Sequence, residues 1–353
     1  MTMVTRSVLV MAGGTGGHIF PALAVAKALQ DQYTIIWVGA ISGLENQIVP
    51  QNGFTLETVT IGGIRNKGFI RKLSLPYTLI KASLRCLSII IKYEPRAVIG
   101  FGGYATFPIC LMAKFTARKV LIHEQNSVAG LTNKMLAKIS DRVLTAFPEV
   151  LVSSKSELVG NPVRNEIIEV GNQRNYDAIK EKPNLLIIGG SLGAKALNDN
   201  VPLALAGSNF GNILHQVGRG DIKPVEELYK ANGINAKVVN FIDNMAEAYA
   251  DADLIICRAG ASTVAEVACA GIAAIFVPYP YAVDDHQTTN AKYLAQNQAA
   301  ILLPQEKLTP EALRSTLNEL PHEKIIEMGR IAHGLAISNA TTRICDNIVR
   351  LLN

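Results

Sequence analysis

The sequence predicts an α/β protein of two doubly wound, parallel-sheet domains, and three observations carry that prediction. The chain has 353 residues, long for a single core, so two domains are the default. Its strand-like runs are continuously apolar, the pattern of parallel sheets covered on both faces. A glycine-rich loop between an apolar run and a helix occurs once in each half, in "VMAGGTGGHIFPALAVAKAL" from Val10 and in "LLIIGGSLGAKALN" from Leu185.

In the first half the runs Val8–Met11, Thr34–Val38, Ala97–Ile99, Lys119–His123 and Arg142–Leu144 alternate with helical stretches. In the second, Leu185–Ile188, Ile213–Val217, Lys237–Phe241, Leu254–Cys257 and Ala274–Val277 repeat the pattern. Asn161-Pro162 in "VGNPVRNEI" interrupts it, which sets the expected domains at 1–160 and 161–339. The final helix, 340–353, has no strand after it and is expected to pack back on the first domain. Ligands of open α/β sheets bind beyond the carboxyl ends of the strands. Two such sheets facing each other make an inter-domain cleft, and the glycine loops are expected to line it.

Composition excludes several classes. With 49% hydrophobic residues, the chain has ample material for a core and carries no low-complexity tract. No apolar run reaches the roughly 18–20 residues of a spanning helix. Gly-Gly arrives too early in the first apolar segment for a signal peptide. Five cysteines without CxxC spacing read as reduced, buried thiols of a cytosolic protein, not disulfides or a zinc site. Charge is uneven: residues 1–160 hold 17 Lys and Arg against 8 Asp and Glu, and the remainder 17 against 21. The basic half is expected to meet anionic partners.

Each glycine loop offers backbone N–H groups at a helix N-terminus, where an anion such as a diphosphate is favoured. A tight βα turn accounts for one such loop equally well. Gly14-Thr-Gly16-Gly17-His18-Ile19 lacks the third glycine of a dinucleotide fingerprint, and "WVGAISG" lacks the ribose-binding acid. No GK[ST] is present, so neither NAD nor ATP is expected, and no cofactor. A third glycine stretch, "GFGGYATFP", and then "HEQNSVAGLTNK" bring Glu124, Gln125 and Asn126 to the same sheet edge. Turn chemistry explains each of these singly; three loops converging on one edge argue for a site.

In the second half Thr263 and Glu266 have capping-box spacing, which accounts for both locally. The functional alternative turns Glu266 toward a ribose diol. Asp284-Asp285-His286-Gln287 is too contiguous to converge on one ion, so no metal is expected, and helix-capping acids with Gln287 facing a polar ligand fit better. Between residues 62 and 96 lie eight Lys and Arg and one acid. Lys81, Arg85, Ser88 and Lys92 form a polar stripe on a helix that otherwise reads as core. In the preceding loop Arg65, Lys67, Arg71 and Lys72 are interleaved with Phe69 and Ile70, a composition suited to an anionic bilayer surface. Stacking aromatics are sparse and no nucleic-acid motif is evident, so nucleic acid is not an expected partner.

Seven motifs, "GGTGGHIFPALA", "GFGGYATFP", "HEQNSVAGLTNK", "VGNPVR", "GGSLGA", "RAGASTVAE" and "YPYAVDDHQ", occur in order over nearly the whole chain. Together they resemble the MurG family of glycosyltransferases. The resemblance implies the GT-B fold, two Rossmann-like domains with an inter-domain cleft. It implies an inverting, metal-independent transfer of GlcNAc from UDP-GlcNAc to the 4-hydroxyl of MurNAc in lipid I (undecaprenyl-diphospho-MurNAc-pentapeptide). The product would be lipid II for peptidoglycan, and the enzyme would sit peripherally on the cytoplasmic face of the bacterial inner membrane. The N-terminal domain would take the acceptor and membrane, and the C-terminal domain UDP-GlcNAc. By resemblance Ile242 and the turn Ala261, Ser262, Thr263, Val264, Ala265 and Glu266 bracket the uridine, with Glu266 on the ribose. Ser191 would hold the diphosphate and Gln287 the sugar hydroxyls. Thr15, Gly16, Gly17, Asn126 and Arg164 would meet the donor sugar and diphosphate from across the cleft. Leu192 departs from the Gln of many members, which removes a side-chain role there but leaves the backbone cradle.

His18 is the candidate base, an imidazole at the edge of the first loop that titrates near working pH; acceptor-diphosphate binding or helix capping are its alternative roles. Two other functions are compatible with parts of the chain. One is a GT-B transferase with another lipid acceptor such as diacylglycerol; the other is a non-catalytic nucleotide-binding membrane module.

Overall fold

A computed structural model describes residues 7–61, 75–190 and 192–353. The chain divides into two compact units, Met1–Pro162 with Asn339–Asn353, and Val163–Ser338. In the first, strands β1 (Ser7–Met11), β2 (Thr34–Ala40), β3 (Thr55–Val59), β4 (Ala97–Gly100), β5 (Lys119–Glu124), β6 (Arg142–Thr145) and β7 (Ser156–Leu158) make one sheet in the order β3-β2-β1-β4-β5-β6-β7. Every pairing is parallel. Helices α1 (Gly16–Leu29), α2 (Glu45–Gln51), α3 (Leu75–Tyr93), α4 (Thr106–Phe115) and α5 (Leu131–Leu136) make the crossovers.

The second unit opens with α6 (Asn165–Gln173). Its strands β8 (Leu185–Ile188), β9 (Ile213–Gln216), β10 (Lys237–Val239), β11 (Leu254–Cys257), β12 (Ala273–Phe276) and β13 (Ala300–Leu302) pair in parallel in the order β10-β9-β8-β11-β12-β13. Helices α7 (Lys195–Ala204), α8 (Lys223–Ala231), α9 (Met245–Asp251), α10 (Ala261–Ala270), α11 (His286–Ala295), α12 (Pro310–Asn318) and α13 (His322–Gly334) cover it. The last helix, α14 (Ala340–Leu352), lays Ile344, Ile348 and Leu352 into the core beside α1 in the first unit.

Both sheets therefore share one order, with the strand sequence reversing direction between the first and fourth strands. β4, β8 and β11 are apolar throughout, and β1 from Val8 onward, because both of their faces are covered. Three strands have no counterpart among the apolar runs: β3, β7 and β13. All three lie at sheet edges and are only partly buried, so residues such as Glu57 and Glu157 are tolerated in them. β10 stops at Val239, two residues short of the expected run, because Asn240 turns its amide onto the carbonyls of Gly218 (2.9 Å) and Gly220 (2.7 Å).

Helix α3 differs from its reading as a core helix with a polar edge. Ala82, Cys86, Ile89 and Ile90 are buried, but Tyr77, Ile80, Leu84 and Ile91 are 61–71% exposed. Arg85 and Lys92 of its polar stripe both bond the carboxylate of Glu57, at 2.5 and 2.7 Å. Partial burial pushes Glu57 up, but the bonds from Lys92 and Tyr93 and the charge of Arg85 outweigh it and hold the carboxyl below its ordinary value. The basic loop Arg65, Lys67, Phe69, Ile70, Arg71 and Lys72 lies outside the described residues. The five cysteines are free thiols, four of them buried.

Candidate active site

In doubly wound sheets a crevice opens where the strand order reverses. In the first unit that point lies between β1 and β4, and the loops leaving them meet there. Gly102 and Gly103 both have positive φ (+101° and +92°). A Cβ on Gly103 would stand 2.9 Å from the Gly13 carbonyl, and one on Gly102 would stand 3.0 Å from His18 Nε2. Only glycine there lets the third glycine stretch close on the first. Trp37, fully buried on β2, donates its indole N–H to the Ala12 carbonyl at 2.9 Å and anchors the end of β1.

Thr15 is the N-cap of α1 and its hydroxyl makes no capping bond, so the first-turn amides of Gly16 and Gly17 are not covered by it. His18, in the same turn, is half-buried, with Nδ1 3.2 Å from the Gly13 carbonyl. A carbonyl oxygen can only accept, so Nδ1 carries the hydrogen and Nε2 the lone pair.

The structure separates the residues of "HEQN". Glu124 is buried, and its carboxylate accepts from the amides of Asn126 (3.1 Å) and Gly130 (3.1 Å) and from Asn133 Nδ2 (2.8 Å). Gln125, also buried, donates to the Phe101 carbonyl at 2.7 Å. Both shape the loop, the role turn chemistry assigns them, and Asn126 is the residue held at its half-buried edge. His123 beside them donates from Nε2 to the Gly160 carbonyl (2.9 Å); burial pushes it down to about 4 against that bond, so it is neutral at working pH.

Glu45, at the start of α2, escaped the sequence reading. Its carboxylate is fully buried and accepts from Gly14 N–H (3.2 Å) and Ala40 N–H (2.9 Å). A Cβ on Gly13 would come within 2.7 Å of Oε1, one on Gly39 within 2.6 Å of Cγ, and one on Gly43 would overlap the carboxylate. The available signal was an acid at the end of "GAISGLE", in a half of the chain short of acids and rich in glycine.

The second unit repeats the crevice between β8 and β11. Gly190 and Gly193 have φ of +86° and +80°. A Cβ on Gly193 would overlap the Val217 carbonyl and one on Gly218 the Gly193 backbone, so this loop is locked backbone to backbone. Ser191 lies outside the described residues, and Leu192 is 77% exposed. The capping box expected at Thr263 and Glu266 does not form: Gly260 is the N-cap of α10, which places both residues inside the helix. Glu266 instead faces Tyr249, whose hydroxyl donates to it at 3.0 Å, and Arg164, whose Nη2 lies at 3.6 Å. Burial lifts the Glu266 carboxyl above its ordinary value, with Arg164 and Tyr249 opposing. Arg164 is the N-cap residue of α6 and belongs to the second unit with Glu266, not among the loops of the first.

Ala261, Thr263, Val264 and Ala265 form the opening turns of α10, and Ser262 Oγ there is buried without a hydrogen-bond partner. Ile242 is buried just beyond β10. Asp284 and Asp285 are left-handed (φ +53° and +49°), and Asp285 is the N-cap of α11. Its carboxylate does not cap the helix backbone and accepts from the Thr288 hydroxyl at 2.7 Å. Gln287 Oε1 accepts Tyr279 N–H (2.9 Å), which orients its NH2 as the remaining donor. The loop carrying Tyr279 is braced by Arg258, a further residue not anticipated, which bonds the Val277 and Pro278 carbonyls and Gln305.

Two units that share one strand order, the first with an added edge strand β7, each with a glycine loop and a helix N-terminus at its switch point, make the GT-B fold. Residues 8–145 match the N-terminal domain and 184–343 the C-terminal domain of glycosyltransferase family 28, and the chain belongs to that family. A Cupriavidus metallidurans enzyme is 48% identical over 349 residues, 98% of each chain. A Ralstonia nicotianae enzyme is 47% identical, with 97% of this chain and 95% of that one covered. Both bear the name UDP-N-acetylglucosamine–N-acetylmuramyl-(pentapeptide) pyrophosphoryl-undecaprenol N-acetylglucosamine transferase. The solved MurG of Acinetobacter baumannii is 41% identical over 98% of this chain and 99% of that one, with a TM-score of 0.86. The calicheamicin glycosyltransferase CalG4, 14% identical over 98% of each chain with a TM-score of 0.70, shares the fold alone.

Proposed function

We propose that this chain transfers GlcNAc from UDP-GlcNAc to the 4-hydroxyl of MurNAc in lipid I, releasing UDP and lipid II for the peptidoglycan of the cell wall. The observation that carries this reading is near-complete alignment at 46–48% identity with enzymes named for that reaction. It favours lipid I over diacylglycerol as acceptor, and an enzyme over a binding module.

In the donor unit, the buried Ser262 hydroxyl and the Glu266–Arg164 pair suit a uridine and its ribose. The amides opening α7 and α10, with Arg164, suit the diphosphate. The Gln287 NH2 is the donor for a sugar hydroxyl. On the acceptor side, the lone pair on His18 Nε2 takes the proton from the 4-hydroxyl as its oxygen attacks the anomeric carbon. The C1–O bond to UDP breaks on the opposite face, and charge grows on the departing diphosphate, where the helix amides meet it. Thr15, Gly16, Gly17 and Asn126 position the groups around that proton transfer, and Ser191 joins the diphosphate cradle.

The acceptor's lipid tail calls for a bilayer surface. Among the described residues no helix is long and apolar enough to cross a membrane. The exposed stripe Tyr77, Ile80, Leu84 and Ile91, with exposed Phe115 on α4 and Lys81 alongside, suits shallow insertion at an anionic cytoplasmic leaflet. Arg65, Lys67, Phe69, Ile70, Arg71 and Lys72 precede it in the chain and would add charge and apolar anchors. Replacing Ile80 and Leu84 by Ser should lower binding to anionic vesicles at least tenfold, since full burial of one apolar side chain is worth roughly 1.5–3 kcal/mol and tenfold needs only about 1.4 kcal/mol from the two together; unchanged co-sedimentation rejects this face.

The decisive experiment is transfer of labelled GlcNAc to a short-chain lipid I analogue, with diacylglycerol as control and EDTA present. Product with the analogue alone is expected. Product with diacylglycerol alone, or UDP-GlcNAc binding without transfer to the analogue, overturns the reading.

A further inference from the structure

We propose that Glu45 is a positioning residue for His18, acting through a single peptide bond. The Gly13–Gly14 peptide carries both contacts: its N–H donates to Glu45 Oε2 at 3.2 Å, and its carbonyl accepts from His18 Nδ1 at 3.2 Å. A peptide unit is planar and conjugated, so a carboxylate on its N–H side polarises the carbonyl on the other. Linked hydrogen bonds of this kind reinforce one another in a low-dielectric interior. The result is a carboxylate–peptide–imidazole chain. It fixes the tautomer with hydrogen on Nδ1 and lone pair on Nε2, and it stabilises the imidazolium formed when Nε2 takes a proton. A carboxylate bonded directly to Nδ1 does the same in hydrolytic triads; here one peptide stands between them. The proton stays on the imidazole and none moves to Glu45.

The site is built for this carboxylate. Glu45 is fully buried, and three positions, Gly13, Gly39 and Gly43, have room for no Cβ beside it. Burying a carboxylate is costly unless donors meet it, and the Gly14 and Ala40 amides do. His123, near enough on β5 to interact electrostatically, is neutral, and the loop after β4 brings Gly102 against the ring. The N-terminal end of α1 disfavours added positive charge. Against it, Glu45 favours the imidazolium through the Gly13–Gly14 peptide.

The inference rests on His18 as base, and its test separates the two. The full chain with 15N-labelled histidine is compared by two-bond 1H–15N NMR as wild type, Glu45→Gln and Glu45→Asp, with His18 assigned through His18→Gln. Wild type is expected to show hydrogen on Nδ1. In Glu45→Gln the Nε2–H tautomer should gain population, kcat/KM should fall about tenfold, and the acidic limb of its pH profile should move to lower pH. UDP-GlcNAc affinity should not change. Glu45→Asp, which keeps the charge on a shorter arm, should fall between, and it carries the same readouts if Glu45→Gln does not fold. An unmoved tautomer and an unmoved acidic limb in a folded variant overturn the proposal, leaving Glu45 a loop staple even if activity drops. A tautomer shift alongside full kcat in His18→Ala upholds the coupling and rejects only the base assignment.

Discussion

The two glycine loops occupy the same place in the same topology, after the first strand of each sheet, yet they are held by different physics. The loop after β1 rests on side chains: Glu45 beneath it, Trp37 at its start and His18 at its far end. The loop after β8 rests on backbone, with Gly193 and Gly218 so close that neither tolerates a Cβ. Its exposed Leu192 contributes no polar atom. One fold position has thus been used to place a titratable group in one unit and a cradle of amides in the other. On the roles proposed above, proton transfer needs a side chain with a lone pair, whereas a diphosphate is held by N–H groups that any residue supplies, so each loop would have the support its task requires.

Substitutions can break that division. The largest effect is expected for His18→Ala, which should lower kcat about 10²–10⁴-fold while UDP-GlcNAc still binds by calorimetry. Lost acceptor affinity with kcat intact at saturation would return His18 to a binding role. Next comes a matched pair in the loops. Gly14→Ala meets open space and bears only the strain of φ +94°. Gly193→Ala combines φ +80° with a backbone collision. UDP-GlcNAc affinity should fall about tenfold or more in Gly193→Ala, from roughly 1–3 kcal/mol of strain, and stay unchanged in Gly14→Ala; equal losses would show that the loops are not specialised.

Acidification should affect both units alike, and so sharpens the comparison from the other side. His123 in the first unit and His215 in the second are held by burial down to about 4 and about 3. Their unfolded forms take up protons near 6.5. Between those values the unfolded chain binds more protons, so stability rises with pH and is lost on going from pH 6.5 toward 4. Tm measured across that window should fall steadily, and His215→Asn should flatten part of the slope. The smallest effect is expected for Leu192→Gln, within about 0.5 kcal/mol of wild-type stability by denaturant titration.

Much of the architecture was legible. The central strands read directly as apolar runs because burial on both faces leaves no place for polar residues. β3, β7 and β13 were not, because an edge strand with one partner tolerates a composition like that of a loop. The start of α10 was misread by its local chemistry. Thr263 and Glu266 have capping spacing, but the extended backbone of Gly260 begins the helix earlier. The partners of Glu266, Tyr249 and Arg164, come from α9 and the start of α6, far from it in sequence.

What the sequence determined by itself is therefore what nearest neighbours along the chain decide: apolar runs, glycine turns and the helices that follow them. Tertiary structure alone decided the pairings that give those elements chemistry. Glu45 lies 31 residues from Gly14, and it reaches that amide only because β2 lies beside β1 and places α2 at the same sheet edge. Hydrogen-bond partners of buried charged groups are chosen by strand order, and strand order is a property of the packed sheet that no local stretch of residues encodes.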